Sequence, residues 1–471
     1  MRKQVAAQKH LKQNSPQQIK PSNVRWIGIG LGLSGIALLS ATAGALLAIS
    51  LASTPLMQTR LTAEEAAVFG KGDRISTGGT LQMPELTRPV NILILGTKVL
   101  TSDLDNPPDR LQHLGYHALV DSFEGLTDTM LLVRFDPTTR KLSALSIPRD
   151  TRSWIEDHGL QKINEANFYG GPALSAKAVS ELLGGVGIDR YIRLNVQGIE
   201  KLIDALGGVS LYVPQDMEYR DDSQHLYINL KAGQQHLDGE RAMQFVRFRY
   251  DDLGDIGRIQ RQQLFIRALL EQALNPGTLA RLPKLMSIIQ SNLDTNLSVE
   301  ELFALAGFAT RTDRSKVQML MVPGRFSSPE EFQASYWLPD YERIDTMMSQ
   351  HFGVATAATA QVVKSLDPAY VNVAIQDSTG EWGAVDDLVN TLYDQGYGNV
   401  YVSQPWNEPL KVTRIVAQDG DVTVAKDLQR SLGFGEVRVE STGSLRSDIT
   451  IQLGQDWLRQ KHRMLSQPDH L

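Results

Sequence analysis

The sequence predicts an α/β protein that has a central sheet flanked by helices, a second, smaller α/β domain and one N-terminal transmembrane helix. Three observations lead to this prediction. Segments rich in branched residues alternate with helical segments between residues 90 and 308, as is typical of an α/β domain. A second alternation occupies residues 370–453. Ahead of both, residues 26–51 form a long uncharged apolar run.

Charge is unevenly distributed along the 471 residues. The first 25 residues carry six basic side chains and no Asp or Glu, whereas the whole chain has a formal charge of −6. The remainder therefore carries −12, which excludes a general nucleic-acid-binding surface and makes any basic patch a candidate local anion site. The chain has no cysteine, which excludes disulfides, thiol catalysis and cysteine-ligated metals.

No charged side chain occurs between Arg25 and Arg60. About 20 helical residues cross a bilayer core, whereas the apolar core of a cleaved signal peptide, the alternative, is usually only about 7–15 residues long. We therefore expect residues 26–51 to be a retained anchor, in which Gly28 and Gly32 would permit close helix pairing. The basic residues before it predict a single-pass protein of the plasma (inner) membrane, with a cytoplasmic N-terminus and an extracytoplasmic or periplasmic bulk.

Residues 52–88 are mixed polar with several glycines and predict a linker that contains one short helix. The strands expected after this linker are residues 90–96, 130–135, 141–147, 191–195, 209–213 and 226–230. Pro148 cannot donate to a ladder, so the strand at 141–147 should end there and expose Arg149 and Asp150.

The helices of the larger domain are predicted from their caps and first turns. Pro172 suits the first turn of a helix to about residue 183, and a helix at 197–206 should be closed by Gly207 and Gly208. Asp238 is expected to cap one helix. The next should start near Asp255, whose carboxylate suits the positive end of the helix dipole. Helical segments continue to about residue 290 and recur at 298–308.

The small Ala-rich stretch at 354–367 suggests a domain boundary. The second alternation that follows is large enough to form a small domain of its own. Its predicted strands are residues 370–375, 400–402, 413–417, 436–440 and 448–453, and its predicted helices are residues 383–397 and 420–432. The tail beyond Trp457 is polar and is expected to fray.

The most informative stretch is rich in arginine. It contains four arginines within fifteen residues, interleaved with three aspartates: Arg247, Arg249, Arg258 and Arg261, with Asp251, Asp252 and Asp255. The guanidinium fork matches phosphate oxygens bidentately, which favours a phosphate-rich ligand. The alternative is a solvated charged turn in which Arg and Asp pair with each other.

Two local geometries decide which of these side chains share a face. If residues 246–250 are extended, Arg247 and Arg249 point to the same side, whereas in a helix they do not. In the following helix Arg258, Arg261 and Gln262 lie side by side, because they are three and four residues apart.

Motifs of other enzyme classes are absent from the sequence. There is no GxSxG elbow, no HExxH and no P-loop, so hydrolases of that type, zincins and P-loop NTPases have no motif support. His225 and His236 lack metal-ligand spacing, which favours structural roles. Arginines and aspartates remain. They can neutralise a pyrophosphate and hold Mg²⁺, and phosphoryl transfer depends mainly on such positioning and charge compensation.

The sequence resembles the LytR-CpsA-Psr family of bacterial cell-envelope enzymes. Several motifs occur in the family's order after the apolar segment: NILILG, DTMLLVRFDP, LSIPRDT, KINEANFYGGP, LIDALGGV, HLDGERAMQFVRFR and GDIGRIQRQQ. Residues 368–458, which contain DITIQLGQDW, look like the small C-terminal domain of some members. The resemblance implies an α-β-α layered catalytic core and an extracytoplasmic transferase. Such a transferase moves a glycopolymer from a polyprenyl-(pyro)phosphate carrier to peptidoglycan.

The resemblance also implies roles for individual residues. Asp128 would contact Mg²⁺ or Mn²⁺ and support acid–base chemistry. The positions that match the family's (pyro)phosphate-binding residues are Arg149, which would also be catalytic, and Arg247, Arg249, Arg258 and Gln262. Asp255 could instead simply cap a helix, and Arg261 could pair with an acid.

Two positions depart from the family pattern. Family members usually have an acidic residue two positions after the glycine of NILILG, where this chain has Lys98, and many have Arg where it has Leu126. Loss of one carboxylate could weaken metal binding. Alternatively, Lys98 binds the (pyro)phosphate directly, or Asp103 or Asp121 supplies the missing acid.

The expected organisation runs from a basic cytoplasmic tail to a polar C-terminal tail. Its parts are the basic tail (1–25), transmembrane helix (26–51), linker (52–88), catalytic domain (89–353), linker (354–367), C-terminal domain (368–458) and tail (459–471). The leading hypothesis is a glycopolymer–peptidoglycan phosphotransferase, with pyrophosphatase as a side activity and an apolar groove beside the arginines for the prenyl tail. The alternative is a protein with a weakened site that binds or tethers envelope polymers. A DNA-binding regulator is disfavoured, because the bulk is expected outside the cytoplasm and no helix-turn-helix pattern is evident.

Overall fold

The structure is a computed structural model that describes residues 59–70, 74–77, 84–98, 123–222, 226–248, 254–275, 277–278, 281, 284–285, 292–355 and 367–466. Within these ranges, no helix is both long and apolar enough to cross a membrane. The predicted anchor at 26–51 lies outside the described residues, as do Asp103, Asp121 and Arg249.

The larger domain is built on a six-stranded mixed sheet with the strand order β11-β6-β1-β2-β3-β12. Its strands are β1 (Val90–Lys98), β2 (Leu126–Asp136), β3 (Lys141–Ile147), β6 (Arg190–Asn195), β11 (Leu293–Thr295) and β12 (Val317–Met321). The central strand β1 pairs antiparallel with β2 and parallel with β6. A central strand has both faces buried, which explains why NILILG reads as a continuous apolar run rather than an alternating one.

Helices cover both faces of this sheet. They are α1 (Ala63–Ala67), α2 (Glu165–Leu182), α3 (Val196–Leu206), α4 (Gly239–Arg247), α5 (Gly254–Ala273), α6 (Val299–Arg311) and α7 (Tyr341–His351). Met130 and Leu132 of β2 belong to the core shared with α2 and α7, whereas Leu131 and Val133 belong to the core shared with α3, α4 and α5. The alternation of side chains along one strand thus supplies two cores, and the predicted α/β class is confirmed.

Four two-stranded pairs lie beside the main sheet. They are β4 (Arg152–Ile155) with β5 (Gly159–Lys162), β7 (Val209–Val213) with β10 (Gly233–Leu237), β8 (Met217–Asp221) with β9 (Leu226–Leu230), and β13 (Gly324–Phe326) with β14 (Trp337–Pro339). The hairpin β4–β5 follows Arg149 and Asp150 directly, and it returns the chain to the same end of the sheet at Lys162.

Two predicted caps of the larger domain are confirmed. The Asp238 carboxylate accepts the amide of Arg241 at 2.9 Å, and Gly207 closes α3 with a φ of +89°. The helix predicted to start at Pro172 instead begins at Glu165. Gly171 has a φ of +64° and breaks α2 into two segments, so Pro172 begins only the second one.

The segment before β1 is more than a linker. The predicted short helix is present as α1, but Phe69 and Ile75 after it are buried in two different cores. Because the segment has a mixed polar composition, its sequence pattern did not predict that these two residues are buried.

The C-terminal domain has a five-stranded sheet with the order β16-β15-β19-β17-β18. Its elements are β15 (Asn372–Asp377), α8 (Ala384–Asp394), β16 (Asn399–Val402), β17 (Arg414–Ala417), α9 (Val422–Leu432), β18 (Glu436–Val439), β19 (Ile449–Leu453) and α10 (Gln455–Ser466). The prediction of a frayed tail beyond Trp457 is wrong as far as residue 466. Trp457 is buried and donates its indole N–H to the carbonyl of Ala384 at 2.9 Å, which anchors α10 despite its polar composition.

Candidate active site

The site begins where β2 and β3 present charged residues at the same end of the sheet. Asp128 lies near the start of β2, and Arg149 follows Pro148 just after β3 ends. Arg149 Nη1 donates to Asp128 Oδ1 at 2.6 Å. Burial opposes the charge of Arg149, but Asp128 and Asp150 together hold its pKa above its ordinary value. Arg149 therefore remains a fixed cation at this end of the sheet.

Asp150 is the centre of the charged group. It accepts from Lys162 Nζ at 2.8 Å, from Arg149 Nε at 3.3 Å and from Arg258 Nη2 at 3.3 Å. Burial alone would raise the pKa of Asp150, but Lys162, Arg149 and Arg258 lower it below its ordinary value. We name the group that consists of Asp128, Arg149, Asp150, Lys162 and Arg258 the phosphate cluster. It contains three cations and two carboxylates.

Asp150 and Lys162 were not singled out as site residues from the sequence. Both occur in quoted motifs, LSIPRDT and KINEANFYGGP, so the signal was present. Nothing local indicated that a hairpin would bring these two motifs together.

Arg258 and Gln262 enter from α5. Arg258 is nearly buried, and Gln262 lies one helical turn further on and is half-buried. The structure therefore places Arg258 beside the carboxylate next to Arg149, as an ion-binding interpretation of these residues requires.

Arg247 is the last residue of α4, and Phe248 after it is extended with a ψ of 132°. The chain is thus helical up to Arg247. Arg247 therefore does not have the extended geometry in which its side chain would point to the same side as that of Arg249. Burial raises the pKa of Glu200 on α3, and the nearby charge of Arg247 opposes that rise. Arg249 lies outside the described residues.

Arg261 connects the two helices that carry the site arginines. Its Nη2 donates to the Phe248 carbonyl at 2.6 Å, and its guanidinium lies 5.6 Å from the centre of the Phe248 ring. Burial lowers the pKa of Arg261 to about 10. Pairing with an acid stays a prediction, because Asp251 and Asp252 lie outside the described residues. The described contacts give Arg261 a positioning role, which fixes the end of α4 against α5.

The histidine prediction is tested at His236. Its Nδ1 lies 2.9 Å from Ser210 Oγ and its Nε2 lies 2.7 Å from the Gly207 carbonyl oxygen. Both ring nitrogens therefore make contacts within the protein, which fits a structural role. His225 lies outside the described residues, and the side chain of Asp255 does too, so capping by Asp255 remains a prediction.

Comparison with known proteins identifies the family. Residues 56–352 match the LytR_cpsA_psr family profile, and residues 370–457 match a second profile described as LytR cell envelope-related transcriptional attenuator. The chain belongs to the LytR_cpsA_psr family. The first match begins well before residue 89, which agrees with the burial of Phe69 and Ile75.

Several curated proteins of this family are similar in sequence. A polyisoprenyl-teichoic acid–peptidoglycan teichoic acid transferase TagU of Oceanobacillus iheyensis is 34% identical over 223 residues, which cover 46% of this chain and 61% of the relative. TagU of Bacillus cereus is 31% identical over 235 residues, which cover 50% and 68%. The regulatory protein MsrR of Staphylococcus aureus is 33% identical over 200 residues, which cover 42% and 59%. The chain thus spans about three fifths to two thirds of these relatives.

Two solved structures are also similar to this chain. B. subtilis TagV is 25% identical with a TM-score of 0.46, and the match covers 57% of this chain and 99% of TagV. TagT bound to LI-WTA is 24% identical with a TM-score of 0.42, and the match covers 57% of this chain and 92% of TagT.

The two departures from the family pattern occupy a single place in the structure. Lys98 and Leu126 are direct cross-strand partners in the β1–β2 ladder, just after an irregularity between Gly96 and Thr97. Leu126 lies two residues before Asp128 on the same strand, so both side chains emerge on one face. The side chain of Lys98 lies outside the described residues, and phosphate binding by Lys98 stays a prediction.

The predicted site for Mg²⁺ or Mn²⁺ is Asp128. Among the described residues there is no group of three or more His, Asp or Glu suited to a metal ion. Mg²⁺ is commonly held by only one or two carboxylates together with substrate phosphates and waters. The Asp128 side chain is 34% exposed and contacts Arg149 through Oδ1, so this carboxylate fits a metal ion that is shared with a phosphate.

The apolar groove expected beside the arginines stays a prediction. Leu131 and Val133 on the sheet pack with Phe245 of α4 and Phe265 of α5 in one core. These four side chains are buried.

Proposed function

We propose that this chain is a membrane-anchored, extracytoplasmic phosphotransferase that moves a glycopolymer from a polyprenyl-(pyro)phosphate carrier to peptidoglycan. The observation that carries the proposal is the phosphate cluster, in which three cations are fixed around two carboxylates. The names of the TagU relatives, which are teichoic acid transferases, support the same reaction class. The apolar segment 26–51 would anchor the protein.

In the proposed mechanism, Arg149 and Arg258 bind oxygens of the carrier's pyrophosphate. A guanidinium has five N–H donors, so Arg149 keeps donors for the substrate besides those used on Asp128 and Asp150. The bonds to these two carboxylates fix the guanidinium before the substrate arrives, which reduces the reorganisation that the reaction requires. Gln262, one turn beyond Arg258, adds an amide donor, and Arg247, at the end of α4, and Arg249 would add charge.

The reaction is a displacement at the phosphorus atom that bears the glycopolymer. A peptidoglycan hydroxyl oxygen forms the new bond to phosphorus, the bridging P–O bond breaks, and prenyl phosphate leaves. The hydroxyl proton passes to a carboxylate oxygen of Asp128. Asp128 would hold Mg²⁺ or Mn²⁺, which would supply charge compensation for the phosphate groups. Attack by water instead of the hydroxyl would give the pyrophosphatase side activity.

The second candidate function is a non-catalytic receptor or tether for envelope polymers. The observation that favours it is the pair Lys98 and Leu126, which replaces an acid and a base at the end of the β1–β2 ladder beside Asp128. Such a receptor would bind the lipid-linked polymer through the same arginines without turning it over.

One experiment separates the two candidates. The full-length protein in detergent is incubated with a polyprenyl-pyrophosphate-linked glycan and peptidoglycan, with Mg²⁺ or with a chelator. Transfer is expected with metal and should fall about 10²-fold or more in Asp128→Asn, as is typical when a proton-transfer group is lost. The matched control is Asp157→Asn, because Asp157 is exposed in the β4–β5 turn and Asn tolerates its φ of +63°. Tight binding of the lipid-linked glycan without release of prenyl phosphate would favour the tether instead.

A further inference from the structure

The two domains are joined through the edges of their sheets. Met319 on the edge strand β12 forms a parallel bridge with Glu440, just beyond the edge strand β18. The Ser441 amide donates to the Met319 carbonyl at 2.8 Å, and the Met321 amide donates to Ser441 Oγ at 2.9 Å. Arg267 Nη1 of α5 pairs with Glu440 at 3.0 Å. These contacts bind the backbone of one domain to the other, so the space between the domains has a defined shape.

A cavity of about 940 Å³ lies between the domains. Its lining combines aromatic rings, amides and arginines, among which are Tyr212, Gln215 and Gln260 of the larger domain and Tyr401, Trp406 and Arg446 of the smaller one. Amide side chains both donate to and accept from hydroxyl groups. Aromatic rings offer flat apolar faces against which the C–H faces of a sugar can pack. This mixture suits a saccharide better than a prenyl chain.

The charge of the lining indicates which saccharides fit. Among the described residues, four arginines line the cavity, including Arg414 and Arg446, together with two glutamates, Glu271 and Glu408. Burial lowers the pKa of Arg414 and the nearby charge of Arg267 lowers it further, whereas Glu408, 3.3 Å from Arg414, opposes this. The larger number of cations in this lining favours a ligand with phosphate or carboxylate groups.

Helix α5 connects this cavity with the phosphate cluster. Arg258 and Gln262 point to one side of the helix, whereas Gly257, Gln260 and Leu264 line the cavity. At 3.6 residues per turn, these two sets lie roughly 150° apart around the axis. The cavity is therefore not the phosphate site, but only the width of a helix, about 10 Å, separates the two.

We propose that this interdomain cavity binds the saccharide chain of the donor glycopolymer, several sugar units away from the pyrophosphate. The proposal rests on the proposed function, because the donor is the polymer whose first sugar is covalently attached at the phosphate cluster. Its chain must leave that cluster close to α5, and the cavity on the other side of α5 offers hydroxyl-binding and anion-binding groups. The C-terminal domain thereby acquires a role in selecting the donor polymer.

The test uses the full-length protein in detergent and the variant Gln215→Ala/Arg446→Ala, whose two side chains are exposed at the cavity. Donors that carry one or two sugars are compared with long-chain donors. For long donors the variant should raise KM about tenfold or more, since a charged and a neutral hydrogen bond are lost, with kcat unchanged. For short donors KM should stay at the wild-type value. Arg314→Ala, at an exposed arginine that does not line the cavity, is the control.

A binding arm keeps this inference separate from the proposed function. Calorimetry measures the binding of lipid-free chains released from the cell's own wall glycopolymer, and separately of peptidoglycan glycan fragments. Weaker binding of the wall glycopolymer to the double variant than to Asp128→Asn would support the cavity even if no transfer occurs. Equal binding by wild type and double variant would overturn the proposal. Binding of peptidoglycan fragments alone would also overturn it and would assign the cavity to the acceptor.

Discussion

Two groups of buried charges in this molecule have opposite arrangements of cations and carboxylates. In the phosphate cluster one carboxylate, Asp150, is shared by three cations. At the domain junction one cation, Arg267, is shared by Glu440 and Glu271. Burial and ion pairing are thus common to both groups, but only the first has an excess of positive charge.

In both groups an arginine has a raised pKa. Burial opposes the charge of Arg267, yet Glu440 and Glu271 hold its pKa above its ordinary value, as Asp128 and Asp150 do for Arg149. A raised arginine pKa therefore does not identify a functional site. A better indication of a functional site is an excess of cations around one carboxylate, at the end of strands that carry a family motif. The excess positive charge there can be neutralised by a bound phosphate.

The largest expected effect comes from removing the shared carboxylate. Asp150→Asn leaves three cations facing each other around a site that is 15% exposed, and breaking a buried ion pair typically costs about 3–5 kcal/mol. Because the folded-state pKa of Asp150 is lowered, its contribution is complete above the unfolded pKa of about 4 and is lost as pH falls below that value. Denaturant unfolding between pH 7 and pH 3 measures both effects.

The control for this prediction is Asp157→Asn, which changes the same atoms at an exposed turn. An Asp150→Asn protein with wild-type stability at pH 7 would contradict the ionic account of the cluster. A loss of stability that did not shrink towards pH 3 would do so as well.

The second prediction compares one arginine from each group. Arg258→Lys keeps the charge but loses the planar fork, so transfer should fall about 10²–10³-fold, which is typical for loss of a preorganised donor. Arg267→Lys should leave kcat near the wild-type value, because Arg267 contacts Glu440 and Glu271 rather than the phosphate cluster. Steady-state kinetics on both variants provide the measurement. Similar losses of kcat in the two would remove the distinction between cluster and junction.

The sequence predicts the strands and helices that carry the site better than the ion pairs within the site. The apolar run NILILG, the Pro148 stop and the Asp238 cap are local signals, and each element lies where expected. The meeting of Asp150, Lys162 and Arg258 depends on a hairpin and a helix that are distant in sequence. Periodicity carries no information on such contacts, so Asp150 and Lys162 were not predicted as site residues.

The failures of prediction have a similar cause. Phe69, Ile75 and Trp457 lie in or next to segments of mixed or polar composition, and each is buried. One buried aromatic ring orders a segment whose average composition resembles a linker or a tail. Their partners come from distant parts of the chain, as the contact of Trp457 with Ala384 illustrates.

The third prediction concerns a histidine near the junction. Burial lowers the pKa of His351 from 6.5 to about 4, although the backbone of Gly420 and the charge of Asp421 oppose this and Lys141 adds to it. Between pH 6.5 and pH 4, His351 is therefore protonated in the unfolded chain but neutral in the folded protein. Stability should fall by about 2–3 kcal/mol as pH drops from 6.5 to 4. His351→Gln, compared with wild type by denaturant unfolding at pH 7.5, 5.5 and 4.5, should flatten this part of the profile. An unchanged pH dependence would show that another group titrates there.

The smallest effect tests the pair that departs from the family pattern. Leu126→Arg alone places a second cation opposite Lys98, whereas Lys98→Asp/Leu126→Arg places opposite charges there. Cross-strand charge pairs are worth about 0.2–1 kcal/mol, so a double-mutant cycle should show a favourable coupling of that size. The same variants report on the metal, because the introduced Asp would lie at the end of the sheet where Asp128 emerges. If the missing acid matters for metal binding, the double variant should reach half-maximal transfer at a lower Mg²⁺ concentration than wild type. A favourable coupling without any change in Mg²⁺ dependence would mean that the residues at positions 98 and 126 affect the stability of this strand pair but not the metal dependence of transfer.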